Sequence, residues 1–341
     1  MPTTKSPTFS QLPENAKLPN TLKLLLKISR PEFLPANSAS LIIGVAWGLT
    51  FPVDLFWGLA VPLLLAYAVI TLVAAYAAQI NTLSDHELDQ KDETKKELVA
   101  AMSQFSRRTL KIVMAAEFAL SLFVVSLLTV LLAKPAMLGL WAAGVFFAHA
   151  YSAPPLRLKS RGVLAPITLL LVLSVLPVTF VAYTFTAALT APFWLFLLGQ
   201  ALTVYGVIVP AEIRDYFVDK RMGIVTFTVQ LGLTKASALG IALLGVGGTL
   251  AGAGLFLALG YSGFPLLSVF LIVMAVAYLH ILRKCWRLYS LSKRHAAATP
   301  DHKGAVEQGI VDVAVENPKW ITLITQVIVL MCIVLLASKL I

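Results

Sequence analysis

Two clusters of oxygen-bearing side chains stand at the ends of long apolar segments of the sequence. The first has the pattern Asn-x-x-x-Asp-x-x-x-Asp and consists of Asn81, Asp85 and Asp89. The second consists of Asp215 and Asp219. Side chains four residues apart lie on one face of an α-helix, about 6 Å apart along its axis. Each cluster therefore predicts a stripe of oxygen atoms at the end of a helix.

Such carboxylate pairs indicate a bound cation, because neighbouring carboxylates repel each other and are costly to keep beside lipid. Oxygen ligands suit Mg²⁺, which usually takes one or two carboxylates together with waters and the phosphate oxygens of a substrate. Two clusters that face each other would hold two ions around a diphosphate. An ordinary solvated helix end explains one cluster equally well, but it is a poorer explanation for two clusters at the same register of two spans.

A basic loop lies between the two clusters in the sequence, at residues 151–162, which read YSAPPLRLKSRG. Its double proline breaks the helix and predicts an extended chain, in which Arg157, Lys159 and Arg161 alternate and face one way. Arginine and lysine so placed suit the oxygens of a phosphate group. For Arg161 the usual positive charge of a cytoplasmic loop is the simpler explanation. Tyr151, at the end of the preceding span, either anchors the helix in the membrane interface or contacts the substrate.

The composition predicts which elements position these residues. Of the 341 residues, 58% are hydrophobic and 13% are charged, about half the charged fraction of a soluble protein. This composition excludes a soluble enzyme, a disordered chain and a nucleic-acid-binding module, and predicts an all-α, polytopic membrane protein. Runs long enough to cross a bilayer as helices predict nine transmembrane helices, at residues 31–50, 56–81, 108–133, 136–152, 163–185, 192–214, 234–259, 263–283 and 319–340.

The net charge of +10 indicates orientation rather than a nucleic-acid partner. If the N-terminus is cytoplasmic, all but two of the 27 lysines and arginines, Lys134 and Lys339, fall on the cytoplasmic side. The positive-inside rule therefore predicts a multi-pass protein of the cell (inner or plasma) membrane, with the N-terminus cytoplasmic and the C-terminus on the opposite side. Both acidic clusters and the basic loop then lie at the cytoplasmic surface.

The predicted domain organisation is simple. Residues 1–30 form a cytoplasmic segment, in which Lys17–Arg30 mixes leucines with lysines and predicts an interfacial helix. Residues 31–341 form a single transmembrane domain. The polar stretch between His295 and Asn317 is predicted to be a solvated connection.

Three segments together resemble the motifs of the UbiA-type superfamily of intramembrane prenyltransferases. They are NTLSDHELD, YSAPPLRLKSRG and RDYFVDKRMGIVTFTVQLG, found in that order at predicted helix ends. Ser29-Arg30-Pro31 is similar to the Arg-Pro that opens the first span of the family. The resemblance covers roughly residues 25–340. The sequence departs from the family pattern after the first motif, at Lys91, and before the second, where Ala211 and Glu212 replace the usual Asp or Asn.

The resemblance implies an enzyme that transfers a polyprenyl group from an allylic diphosphate to an aromatic quinone-precursor ring or a lipid alcohol, with Mg²⁺ as the cofactor. It implies nine helices around a central cavity open to the cytoplasmic side, where the two acidic clusters bind the metal ions and their four aspartates are catalytic. The substrate-binding residues would be Arg157, Lys159, Lys91, Arg214 and Tyr151.

The expected partners are a polyprenyl diphosphate, a lipophilic acceptor and membrane lipid, with no sign of an obligate protein partner. Two alternatives use intramembrane acids differently. A cation transporter would bind its ion with the acidic clusters, although transporter sites usually lie near the membrane midplane. A CDP-alcohol phosphotransferase also uses aspartates with Mg²⁺, but its further motif elements are missing from both clusters.

Overall fold

Helices form all the regular secondary structure of residues 18–31, 34–90, 95–186, 188–260 and 264–339, which are the residues that this computed structural model describes. In chain order they are α1 (Leu18–Ile28), α2 (Leu34–Gly48), α3 (Val61–Asp89), α4 (Lys96–Ser103), α5 (Arg107–Leu132), α6 (Ala136–Ser152), α7 (Leu164–Leu170), α8 (Leu176–Phe185), α9 (Ala191–Arg221), α10 (Phe227–Leu231), α11 (Leu233–Leu259), α12 (Phe264–Ala297), α13 (Pro300–Ala314) and α14 (Asn317–Ser338). Two π-helical turns, Leu55–Ala60 and Leu171–Val175, precede α3 and join α7 to α8. The predicted all-α fold is confirmed.

Six helical segments in the described part of the chain are long and apolar enough to cross a membrane. They are Leu55–Asp89, Arg107–Leu132, Leu164–Phe185, Ala191–Arg221, Leu233–Leu259 and Pro300–Ser338. A further apolar helix, Ala136–Ser152, is shorter. Each of the nine predicted runs contains a helix, while the count of nine crossings stays a prediction.

Helix α9 carries the second acidic cluster at its C-terminal end and is the most buried of these six segments. Small residues bring it close to α11. A Cβ atom on Gly199 would lie 2.2 Å from the backbone nitrogen of Ala251, and one on Gly247 would lie 2.7 Å from the carbonyl oxygen of Gly199. Glycines allow membrane helices to pack at such short separations. This packing fixes the position of α9 and therefore of its acidic end.

The two lysines predicted to lie on the far side of the membrane cap the ends of neighbouring helices. Lys134 Nζ donates to the carbonyl oxygens of Tyr183 (2.8 Å) and Thr184 (3.0 Å) in the last turn of α8. Lys339 Nζ donates to the carbonyl oxygens of Trp47 and Leu49 at the end of α2. The last carbonyls of a helix lack partners within the helix and carry its partial negative charge. These exceptions to the charge bias therefore have a structural reason.

The prediction of a solvated connection between His295 and Asn317 is wrong, because Pro300–Ala314 forms α13. Ile310, Val313 and Ala314 are buried in the hydrophobic cluster that includes residues of α9 and α12. Their spacing gives the helix an apolar stripe on one face despite its polar composition. Helix α13 thus covers the end of α9.

The N-terminal helix α1 packs against α4. Ile28 is buried in a cluster with Ala101, Met102 and Phe105. Leu22 and Leu26 are exposed on the other side of α1. An exposed row of leucines on a short helix suits the membrane interface, where the sequence places this helix by prediction.

Candidate active site

A cavity of about 990 Å³ lies at the ends of α3, α6 and α9 and extends to α13. Eight of the ten predicted site residues line it: Asp85, Asp89, Tyr151, Arg157, Lys159, Arg214, Asp215 and Asp219. Asn81 lies one helical turn before Asp85 on α3, and Lys91 lies outside the described residues. The two acidic clusters, carried by separate helices, therefore meet at one cavity.

The first acidic cluster is joined to the basic loop by hydrogen bonds. Asp85 Oδ1 accepts from Arg157 Nη2 at 3.1 Å, and Asp85 Oδ2 accepts from Lys159 Nζ. Asn81 Oδ1 accepts from Lys159 Nζ at 3.2 Å and from Ser152 Oγ at 2.8 Å. One helical face thus presents its oxygen atoms to two cations from the loop.

The remaining cluster aspartates differ in exposure. Asp89 has a side chain only 7% exposed, and its Oδ1 accepts from Lys95 Nζ at 2.6 Å. On α9, Asp215 is 52% exposed. Arg214 Nε donates to Asp215 Oδ1 at 2.8 Å and Arg214 Nη2 donates to Oδ2 at 3.3 Å, which gives a two-pronged contact. Asp89 and Asp215 are thus each held by a basic side chain at the cavity.

The conformation of the basic loop differs from the extended chain that was predicted. Arg157 has a positive φ of 40°, and Leu158–Ser160 forms a turn of 3₁₀ helix. This turn places Arg157 and Lys159 on the cavity wall beside Asp85. Arg161 instead donates from Nη2 to the carbonyl oxygen of Pro155 at 2.8 Å and is not a lining residue. Arg161 is the loop cation for which the sequence favours an ordinary cytoplasmic loop charge over a phosphate contact.

Lys159 is the least exposed cation of this group, with 17% of its side chain accessible. Burial lowers the pKa of the Lys159 amine, because desolvation disfavours the charged form, while Asp85 opposes the shift by favouring it. An anion bound beside the amine would favour the charged form, as Asp85 does.

Glu212 is a further candidate functional residue, which the sequence showed only as a departure from the family pattern. Glu212 lines the cavity on α9. Its carboxylate accepts hydrogen bonds from Tyr205 Oη, at 3.3 and 3.4 Å, and from Thr228 Oγ1. Tyr205 and Thr228 are almost fully buried. An acid three residues before Asp215 lies on the same helical face, and this spacing was the signal available in the sequence.

A family model described as the UbiA prenyltransferase family matches residues 38–299, which is more than half of the chain. The chain belongs to the UbiA prenyltransferase family. It is therefore a multi-pass membrane protein, as the apolar helices indicate. A comparison with curated proteins finds no match.

Solved UbiA structures share this fold. A UbiA homolog from Archaeoglobus fulgidus bound to GPP and Mg²⁺ is 18% identical, with a TM-score of 0.61 over 89% of this chain and 99% of that chain. A digeranylgeranylglyceryl phosphate synthase structure is 16% identical, with a TM-score of 0.58 over 92% and 99% of the two chains. The apo structure of a UbiA homolog from Aeropyrum pernix K1 is 15% identical, with a TM-score of 0.53 over 85% and 97%. At these identities the likeness shows the fold.

The oxygen donors of this UbiA cavity suit a divalent cation that is shared with a substrate. Within the described ranges, no group of three or more His, Cys, Asp or Glu side chains is close enough to hold a metal by itself. Mg²⁺ needs fewer protein ligands than that, because waters and substrate phosphates complete its octahedral shell. Asp85, Asp89 and Asp215 each contact a lysine or arginine, so their oxygens already face positive charge. The residues fit an ion that the protein and a diphosphate hold jointly.

Proposed function

We propose that this chain transfers a polyprenyl group from an allylic prenyl diphosphate to a lipophilic acceptor, which is an aromatic ring or a lipid alcohol. The observation that carries the proposal is the meeting of both acidic clusters and two loop cations at one cavity. Family membership favours this reaction over cation transport. The solved homolog from Archaeoglobus fulgidus bound to GPP and Mg²⁺ supports the same choice of donor and metal.

The proposed metal ligands are the oxygen atoms of the two clusters: Asn81, Asp85, Asp89, Asp215 and Asp219. Bound Mg²⁺ would supply positive charge to the diphosphate as it leaves, which is a form of transition-state stabilisation. The four aspartates are catalytic in this proposal because they would hold that charge against the leaving group. Their placement on two helices brings ligands to the diphosphate from two sides of the cavity.

Basic side chains of the cavity wall would bind the diphosphate directly. Arg157 and Lys159 contact Asp85 on the side that faces the cavity, so a small rearrangement can shift their hydrogen bonds to phosphate oxygens. Arg214 and Lys91 are proposed to assist them, and Tyr151 is proposed to contact the reactive end of the prenyl chain. These residues fix the leaving group while the bond to C1 breaks.

The apolar part of the cavity would protect the reactive carbon from water. Leu88, Phe217, Val225 and Phe227 are among the lining residues. A prenyl cation reacts with water if water reaches it, so an apolar wall would favour capture by the acceptor. We propose that the prenyl tail extends along this wall.

The topology remains part of the proposal. We place the protein in the cell (inner or plasma) membrane, with the N-terminus and the cavity on the cytoplasmic side and the C-terminus opposite. Residues 1–30 would form a cytoplasmic segment with an interfacial helix. Residues 31–341 would form one transferase domain.

The direct test incubates the purified protein in lipid nanodiscs with labelled geranyl diphosphate, Mg²⁺ and a panel of phenols, naphthols and glycerol lipids. We expect a prenylated lipid product that disappears in Asp85→Asn and Asp215→Asn. Asp301→Asn is the matched control, because Asp301 lies in the first turn of α13 and does not line the cavity. The proposal is wrong if no donor and acceptor pair reacts and the two aspartate variants bind geranyl diphosphate as tightly as the wild type.

A further inference from the structure

A partly buried carboxylate on the cavity wall, that of Glu212, is not among the groups proposed above to bind the metal or the diphosphate. Glu212 is three residues before Asp215 on α9, and Tyr205 and Thr228 donate hydrogen bonds to it from outside the acidic clusters. The described residues give it no hydrogen bond or ion pair with a lysine or arginine, whereas Asp85 pairs with Arg157 and Lys159, and Asp215 pairs with Arg214. Two buried hydroxyl groups fix its orientation and leave its remaining lone pairs available to a donor in the cavity.

Glu212 lies in the same cavity as the residues that are proposed to contact the reacting groups. Tyr151, the proposed contact of the prenyl chain, is one of the lining residues of the cavity. Glu212 and Asp85 both line the cavity. An acceptor next to Tyr151 can therefore reach the Glu212 carboxylate while the diphosphate stays with the cations at Asp85.

We propose that Glu212 binds the hydroxyl group of the acceptor and receives its proton as the new bond to prenyl C1 forms. The bond between C1 and the diphosphate oxygen breaks, and its electron pair leaves with the diphosphate. As the hydroxyl O–H bond gives its proton to the Glu212 carboxylate, an electron pair of the acceptor forms the bond to C1. The inference rests on the proposed function and specifies the acceptor as a hydroxyl-bearing molecule.

Glu212→Gln tests this role, because glutamine keeps the shape and can still accept hydrogen bonds from Tyr205 and Thr228. The measurements are transfer from geranyl diphosphate to a naphthol and to a dialkylglycerol, and pyrophosphate release without any acceptor. Loss of a proton-transfer group typically lowers rates by about 100- to 10,000-fold. We expect a loss of that size in kcat/KM for the acceptor, with binding of geranyl diphosphate and acceptor-independent pyrophosphate release unchanged. Asp215→Asn should abolish both activities.

Two comparisons make the test specific. The wild type should fail to use the O-methyl ethers of the same acceptors. Glu117→Gln makes the same chemical change at a carboxylate that accepts from Gln79 Nε2 at 2.7 Å and does not line the cavity, so it should keep wild-type rates. If Glu212→Gln does not fold, Tyr205→Phe and Thr228→Val replace it, and each should raise KM for the acceptor but not for geranyl diphosphate.

The results that overturn the inference are distinct from those that overturn the proposed function. Three results would each reject the role of Glu212 and leave the proposed transferase activity intact. They are transfer by Glu212→Gln at the wild-type rate, use of the O-methyl ethers by the wild type as well as the hydroxyl compounds, and a loss of acceptor-independent pyrophosphate release in Glu212→Gln that parallels its loss of transfer. Unchanged KM values in both substitute variants would reject it as well. A wild type that transfers to no acceptor rejects the proposed function, and this inference fails with it.

Discussion

Replacing Lys159 by methionine removes one positive charge from the cavity wall and keeps a side chain of similar length. In the wild type, Lys159 Nζ contacts Asp85 Oδ2 and Asn81 Oδ1, and only 17% of the side chain is exposed. Arg157 still contacts Asp85 in the variant, so the carboxylate keeps one partner. The principal loss is therefore expected in diphosphate binding rather than in folding.

The size of this loss follows from the type of contact. Hydrogen bonds to charged groups contribute about 1.5–3 kcal/mol, which corresponds to about 10- to 150-fold in affinity. Lys159 must give up part of its ion pair with Asp85 to contact a phosphate oxygen. We therefore expect the lower part of that range, about 10- to 30-fold weaker binding of geranyl diphosphate.

The assay is a calorimetric titration at neutral pH, which measures the affinity of nanodisc-embedded protein for geranyl diphosphate in the presence of Mg²⁺. Arg161→Met is the matched control, because Arg161 belongs to the same loop but donates to the carbonyl oxygen of Pro155. The affinity of this variant should stay within about twofold of the wild type, since Arg161 is not among the residues that line the cavity. Equal losses in the two variants would refute the assignment of Lys159 and would leave only a general effect of loop charge.

Further outcomes follow from the same structure. Because burial lowers the pKa of Lys159 and the charged amine is the form that binds, diphosphate affinity should fall as the pH rises through a value below the ordinary lysine range. Lys159→Arg should move that fall to higher pH, and an unmoved titration would contradict the reasoning. Gly247→Ala should inactivate and destabilise the protein, because the added Cβ atom would lie 2.6 Å from Thr203 Oγ1. Gly245→Ala should be tolerated, because a Cβ atom there meets no atom within 4 Å. Thermal unfolding and transfer assays compare that pair. Removal of divalent cations with EDTA should abolish geranyl diphosphate binding, and added Mg²⁺ should restore it. Mg²⁺ titrated without the diphosphate should bind weakly. Tight binding of Mg²⁺ alone would contradict a metal site that the protein and the diphosphate share.

The stripe formed by Asn81, Asp85 and Asp89 could be predicted from the sequence because it depends only on the period of one helix. The apolar runs could be predicted for a similar reason, since lipid requires each spanning segment to satisfy its own backbone hydrogen bonds. Family membership followed from three short motifs and is confirmed by the family model over residues 38–299.

Two local predictions failed because tertiary contacts override composition. The double proline suggested an extended loop, yet Arg157 precedes a 3₁₀ turn that contains Lys159. Both side chains donate hydrogen bonds to Asp85, which is 72 and 74 residues away in the sequence. The polar stretch after His295 suggested a solvated connection, yet it forms α13, whose narrow apolar stripe packs beside α9.

The sequence by itself determined the membrane class, the apolar helical segments and the residues that share a helical face, because these depend on composition and on neighbours within a few residues. Only the tertiary structure decided that the faces of α3 and α9 meet at one cavity and which basic side chains line it. It also decided that Tyr205 and Thr228 orient Glu212. The reason is that helix packing is set by side chains distant in sequence, such as the glycines between α9 and α11. A one-dimensional pattern contains no direct record of those contacts.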